Sequence, residues 1–68
     1  MIKTRLWVHE DGHWEEAVGL ELPQAPAVGD VVILETSFVV KAVHWVVADK
    51  SRLQAVDLFV EEIGPRTI

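Results

Sequence analysis

The chain has no cysteine. That excludes disulfide staples, thiolate metal sites and a cysteine nucleophile, so a small fold must stand on packing alone. The longest unbroken apolar runs, Val31-Val32-Ile33-Leu34 and Trp45-Val46-Val47-Ala48, fall far short of a membrane span. Lys3 and Arg5 lead into no apolar stretch of the kind a signal peptide carries. No glycine-rich phosphate loop is present, and Ser37 and Ser51 both sit in turn-like contexts without a base beside them. Basic charge is also scarce. Six Lys and Arg against eleven Asp and Glu leave a formal net charge of −5, a poor balance for displacing counterions from phosphates.

What is there is a chain of 68 residues, half of them apolar. That is too apolar for a disordered tail and too short for two domains, so residues 1–68 are expected to form one cytoplasmic domain with no cofactor. A chain of this size buries only about 60% of the surface its unfolded form exposes. Valine dominates the apolar set, and β-branched residues favour pleated surfaces. Turn signals recur at Asp11-Gly12, Pro23 to Asp30, Thr36-Ser37, Asp49 to Arg52 and Gly64-Pro65. They delimit five strands near 2–9, 14–22, 31–35, 38–48 and 53–63. Leu53, Val56 and Val60 have helical spacing, but Val56-Asp57-Leu58-Phe59-Val60 is richer in β-formers and is read as strand.

Alternation sets the registers. In the first hairpin, Leu6 opposite Val18 and Val8 opposite Glu16 put the apolar sets on one face, with Lys3 facing Glu21 and His9 facing Glu15 outside. This register asks for a three-residue loop, Asp11-Gly12-His13, with a bulge beside Gly12. In the fourth strand, Phe38 and Val40 fall out of phase with Val43, Trp45 and Val47, which predicts a bulge at Lys41-Ala42. A four-residue loop at 49–52 then sets Trp45 opposite Val56, Val43 opposite Leu58, His44 opposite Asp57 and Ala42 opposite Phe59. Long, bent strands close small barrels, so the expected fold is an all-β, five-stranded antiparallel barrel.

The stretch Ala27-Val28-Gly29-Asp30-Val31-Val32, followed by Phe38-x-Val40-x-x-Val43-x-Trp45, resembles the SH3-like barrels. Their second half often opens with a Gly-Asp step into a strand and continues as a hairpin with a bent strand. The likeness covers roughly residues 23–63 and extends to short bacterial proteins built on the same scheme. It implies a barrel fold; SH3-like barrels bind peptides, nucleic acids or methylated residues, or assemble into oligomers, so it implies no single function.

His9, His13 and His44 are the only candidates for transition-metal or acid–base chemistry. His9 and His13 flank an acidic turn without a converging third ligand, so no metal site is expected. His44 opposite Asp57 reads as a surface cross-strand pair rather than a catalytic one. Glu15-Glu16 and Glu61-Glu62 are neighbours on strands, point to opposite faces and form no dyad. Glu16 alone is phased inward.

The aromatic residues are more informative. Trp14, Phe38 and Trp45 fall on inward phases and read as core. Trp7, Val39, Val46 and Phe59 fall on outward phases, and apolar residues gathered outside a small barrel mark an interface. The alternative is that the N-terminal segment or Pro65-Arg66-Thr67-Ile68 covers them. The expectation is therefore a non-catalytic interaction module, a homodimer or the binder of another protein, with a contact surface of Trp7, Val39, His44, Val46, Asp57 and Phe59. The runner-up is a nucleic-acid-binding barrel using Lys3, Arg5 and Trp7, a basic and aromatic set suited to single strands.

Overall fold

The computed structural model describes residues 1–49 and 52–65, which form five strands and no helix. These are β1 (Ile2–Glu10), β2 (His13–Leu22), β3 (Val31–Ile33), β4 (Thr36–Asp49) and β5 (Arg52–Pro65). They make one sheet in the order β2-β1-β5-β4-β3. The all-β expectation holds, and the stretch with helical spacing lies inside β5. The tip of the expected 49–52 loop and residues 66–68 lie outside the described residues.

Two parts of the expected architecture are corrected. The sheet is mixed, because β1 and β5 run parallel, with Thr4 opposite Val56, Leu6 opposite Leu58 and Val8 opposite Val60. Leu6 and Leu58 each sit at the centre of an alternating apolar stretch, and matching them buries both. The connectivity sets the direction: β2 returns beside β1, residues 23–30 carry the chain to the far edge, and the meander β3-β4-β5 comes back to β1. The barrel is also open, since no ladder among the described residues joins β2 to β3. The edges curl toward one another, so that Ala17 and Val18 share a cavity of about 290 Å³ with Leu34, Glu35 and Thr36. With only three residues, β3 offers few ladder groups to hold a closure.

The curl defines an inner and an outer face. Inside, Leu6, Val40, Val56, Leu58 and Val60 form the buried core, flanked by Val8, Val18, Leu20, Phe38 and Val43. Thr4 is also buried there, and its hydroxyl donates to the carbonyl of Ile2 at 3.1 Å. The crossing segment lies over this face, with Ala25 packed on the core. It is tied down by Gly29 N–H to Val40 O and Val40 N–H to Asp30 O, both 2.9 Å. Asp30 Oδ2 accepts from the Ala27 amide at 2.8 Å and shapes the turn.

The bulge at Lys41 is where the phase break puts it, and all four expected pairs from Ala42–Phe59 to Trp45–Val56 form. The first hairpin differs. Leu6 faces Val18 and Lys3 faces Glu21 as expected, but the turn is a bare Asp11-Gly12 pair with Glu10 opposite His13. Both turn residues are left-handed, with φ of 51° and 81°, as a type I′ turn requires. The extra residue is Ala17, between the pairs Leu6–Val18 and Trp7–Glu16. Val8 therefore faces Glu15 rather than Glu16, and His9 faces Trp14 rather than Glu15. Trp14 and Glu16 both move to the outer face. Trp45 keeps its inward phase but is 56% exposed, because the β4–β5 hairpin runs past the last β1–β5 pair, Thr4–Val56.

Candidate interaction surface

The outer face collects aromatic rings from four adjacent strands. Trp7 of β1 and Phe59 of β5 are direct neighbours across the parallel ladder, with ring centroids 6.3 Å apart and planes inclined by 20°. Trp14 of β2 meets Phe59 edge-on at 5.1 Å, and His44 of β4 lies 4.6 Å from it. His9 of β1 packs edge-on against Trp14 at 5.1 Å. Phe59 is thus the centre of a strip that crosses β2, β1, β5 and β4. Edge-to-face and offset contacts at these distances add to the gain from area alone.

One end of the strip carries a charge pair. Arg5 Nε and Nη2 donate to the two carboxylate oxygens of Asp57 at 2.6 and 3.0 Å, the forked geometry that makes guanidinium–carboxylate pairs strong. The hydrogen bond to Asp57 holds the Arg5 guanidinium above its ordinary pKa, with a smaller contribution from Glu16. Arg5 Cζ also lies 6.0 Å from the Trp7 ring centroid, at the limit of a cation–π contact. Trp7 Nε1 is enclosed without an acceptor among the described residues. Replacing His44 as the expected partner, Arg5 is what satisfies Asp57.

All six residues of the expected contact surface lie on this outer face. Trp7, His44, Asp57 and Phe59 come together, Val46 follows opposite Ala55, and Val39 lies toward the other end opposite Val31 and Glu61. His9, phased outward as expected, and Trp14, which the sequence phase had placed inward, join the cluster. The Asp11-Gly12 dipeptide was the available signal, since a two-residue turn sets His9 against Trp14. The alternative set Lys3, Arg5 and Trp7 shares the outer edge of β1, but Arg5 is bound to Asp57 and Lys3 stands opposite Glu21. His13 turns away and bonds Glu15 through Nε2 at 2.8 Å, which raises the imidazole pKa and lowers that of the carboxyl.

Among the described residues, no group of three or more His, Asp or Glu side chains is arranged to hold a metal ion. No helix among them is long and apolar enough to cross a membrane. Set against protein-family models, curated proteins and solved structures, the chain matches none.

Proposed function

We propose that the chain is a non-catalytic self-association module that dimerises through its outer aromatic strip. The observation that carries this is the cluster of Trp7, Trp14, Phe59, His9 and His44 on a sheet face that no other element among the described residues covers. A sheet needs a second layer on each apolar face; here the 23–30 crossing serves the inner face and nothing described serves the outer. A second copy supplies that layer about 10 Å away, as in sheet-on-sheet packing. Arg5 and Asp57 neutralise each other beside the rings, so neither meets its own image as a bare charge in a two-fold contact, and Glu16, opposite Trp7, is near enough to Arg5 to help raise its pKa. The likeness of residues 23–63 to the second half of SH3-like barrels belongs to this reading, supported by a meander that opens at Gly29-Asp30.

The test is solution mass by light scattering over a tenfold concentration range. The unaltered chain is expected as a dimer, and Phe59→Glu as a folded monomer by circular dichroism. His44→Glu, at an exposed position on the same strip, gives the same readout if the Phe59 variant does not fold. A monomeric unaltered chain overturns the proposal, as does a folded His44→Glu variant with undiminished dimer.

A further inference from the structure

A second surface lies where β1 and β5 part. Their parallel ladder ends at Val8–Val60, after which β1 follows β2 to its turn and β5 follows β4 to Pro65. Beyond Val60, the side of β5 that faced β1 has no ladder partner among the described residues. The fork encloses a cleft of about 560 Å³ lined by the apolar Val8, Val60 and Phe38 and, where it adjoins the aromatic strip, by His9 and Trp14. Its rim carries three carboxylates, Glu10, Glu61 and Glu62, against one ammonium, Lys41, which lies 3.5 Å from Glu61.

We propose that this cleft binds an extended basic segment of another protein, which adds to the free edge of β5 as a further strand. An open edge with an apolar floor is what strand addition uses: main-chain hydrogen bonds give affinity and flanking side chains give selectivity. Alternation fixes the charge pattern. Glu61 stands on the outer face opposite Val39, and Glu62 on the inner face opposite Phe38. An added strand therefore meets a carboxylate on both of its faces and is favoured by Lys or Arg at successive positions near them. A second copy adding through its own β5 edge is disfavoured at this cleft, since it would set Glu61 and Glu62 against carboxylates of the same kind.

The test uses a labelled alternating lysine–valine octapeptide, followed by fluorescence anisotropy. Its glutamate–valine counterpart serves as the charge control, and a lysine–valine peptide N-methylated at alternate amides as the main-chain control. The lysine peptide is expected to bind at least tenfold more tightly than either control. Glu62→Lys is expected to weaken it about tenfold, while Glu21→Lys makes the same charge change on β2 away from the cleft and weakens it little. Undiminished binding of the N-methylated peptide overturns strand addition and leaves only diffuse attraction to an acidic protein. Equal losses in the two lysine variants overturn the assignment to the cleft.

Discussion

Leu58→Ala is the most direct probe of how this sheet is held together. Leu58 is fully buried, with Leu6 beside it on β1 and Val43 on β4, so it joins both halves of the sheet. Truncating a buried leucine costs about 2.7–5 kcal/mol, from lost transfer energy and the cavity left behind. A 68-residue chain has roughly 3–10 kcal/mol of stability in total, at about 0.05–0.15 kcal/mol per residue. The substitution therefore removes a large share of the stability, and at the lower end all of it. Urea unfolding, followed together by tryptophan fluorescence and circular dichroism, measures the change. With a slope of about 1 kcal/mol per molar urea, the midpoint should fall by about 3 M or leave no folded baseline. Protomer concentration must be held fixed, because self-association adds to apparent stability. Ile33→Ala, at a half-exposed position on β3, serves as the control and should change stability by less than about 1 kcal/mol. A Leu58→Ala loss no larger than that of the control would refute the placement of the core between β1 and β4.

Three further outcomes follow from local geometry. Gly12→Ala should destabilise by about 1–2 kcal/mol, because φ at 81° is left-handed and the new methyl meets nothing that could repay the strain; thermal unfolding reads this, and an unchanged midpoint refutes the turn. Deleting Ala17 removes the bulge yet keeps Leu6 opposite Val18 and Trp7 opposite Glu16, so the variant should fold, with the ring contacts of Trp14 still visible by NMR. His13 should titrate above 6.5 and return toward it in Glu15→Gln. The pair's contribution through His13 is present below that value and lost as pH rises through the raised one; its contribution through Glu15 is present above 4.5 and lost below the lowered value.

The strands and most pairings were legible because apolar residues recur at every second position over Leu6–Val8, Phe38–Val40, Val43–Val47 and Val56–Val60, even where the residues between them are apolar too. The step from Val40 to Val43 leaves room for only one kind of irregularity, so the Lys41 bulge and the pairs beyond it could be placed. In β2 the same reasoning had more freedom. The phase must slip somewhere between the Asp11-Gly12 turn and Val18, and sequence alternation alone does not say where. Giving the slip to the turn overrode the preference of Asp-Gly for a two-residue loop, and moved Trp14 to the wrong face. Trp45 shows a different limit: alternation tells which face a side chain takes, whereas its cover depends on how far β1 extends alongside. The parallel contact of β1 with β5 left no local mark at all, since nothing in either strand specifies a partner so far along the chain.

That contact has a kinetic consequence. The two halves, β1-β2 and β3-β4-β5, are each built from neighbouring segments, but among the described residues the ladder that joins them is that of β1 with β5, through pairs such as Arg5 and Asp57, which are 52 residues apart. Each half gathers early, and the joining step must close a long loop before any burial at the seam rewards it. Until then the apolar margin of β1 waits uncovered while the rest of the chain is synthesised, with Leu6 open to any competing strand. Substitutions at the seam should therefore slow folding more than they speed unfolding if docking is the barrier, and the nascent chain is most vulnerable to misassembly in the interval before β5 arrives.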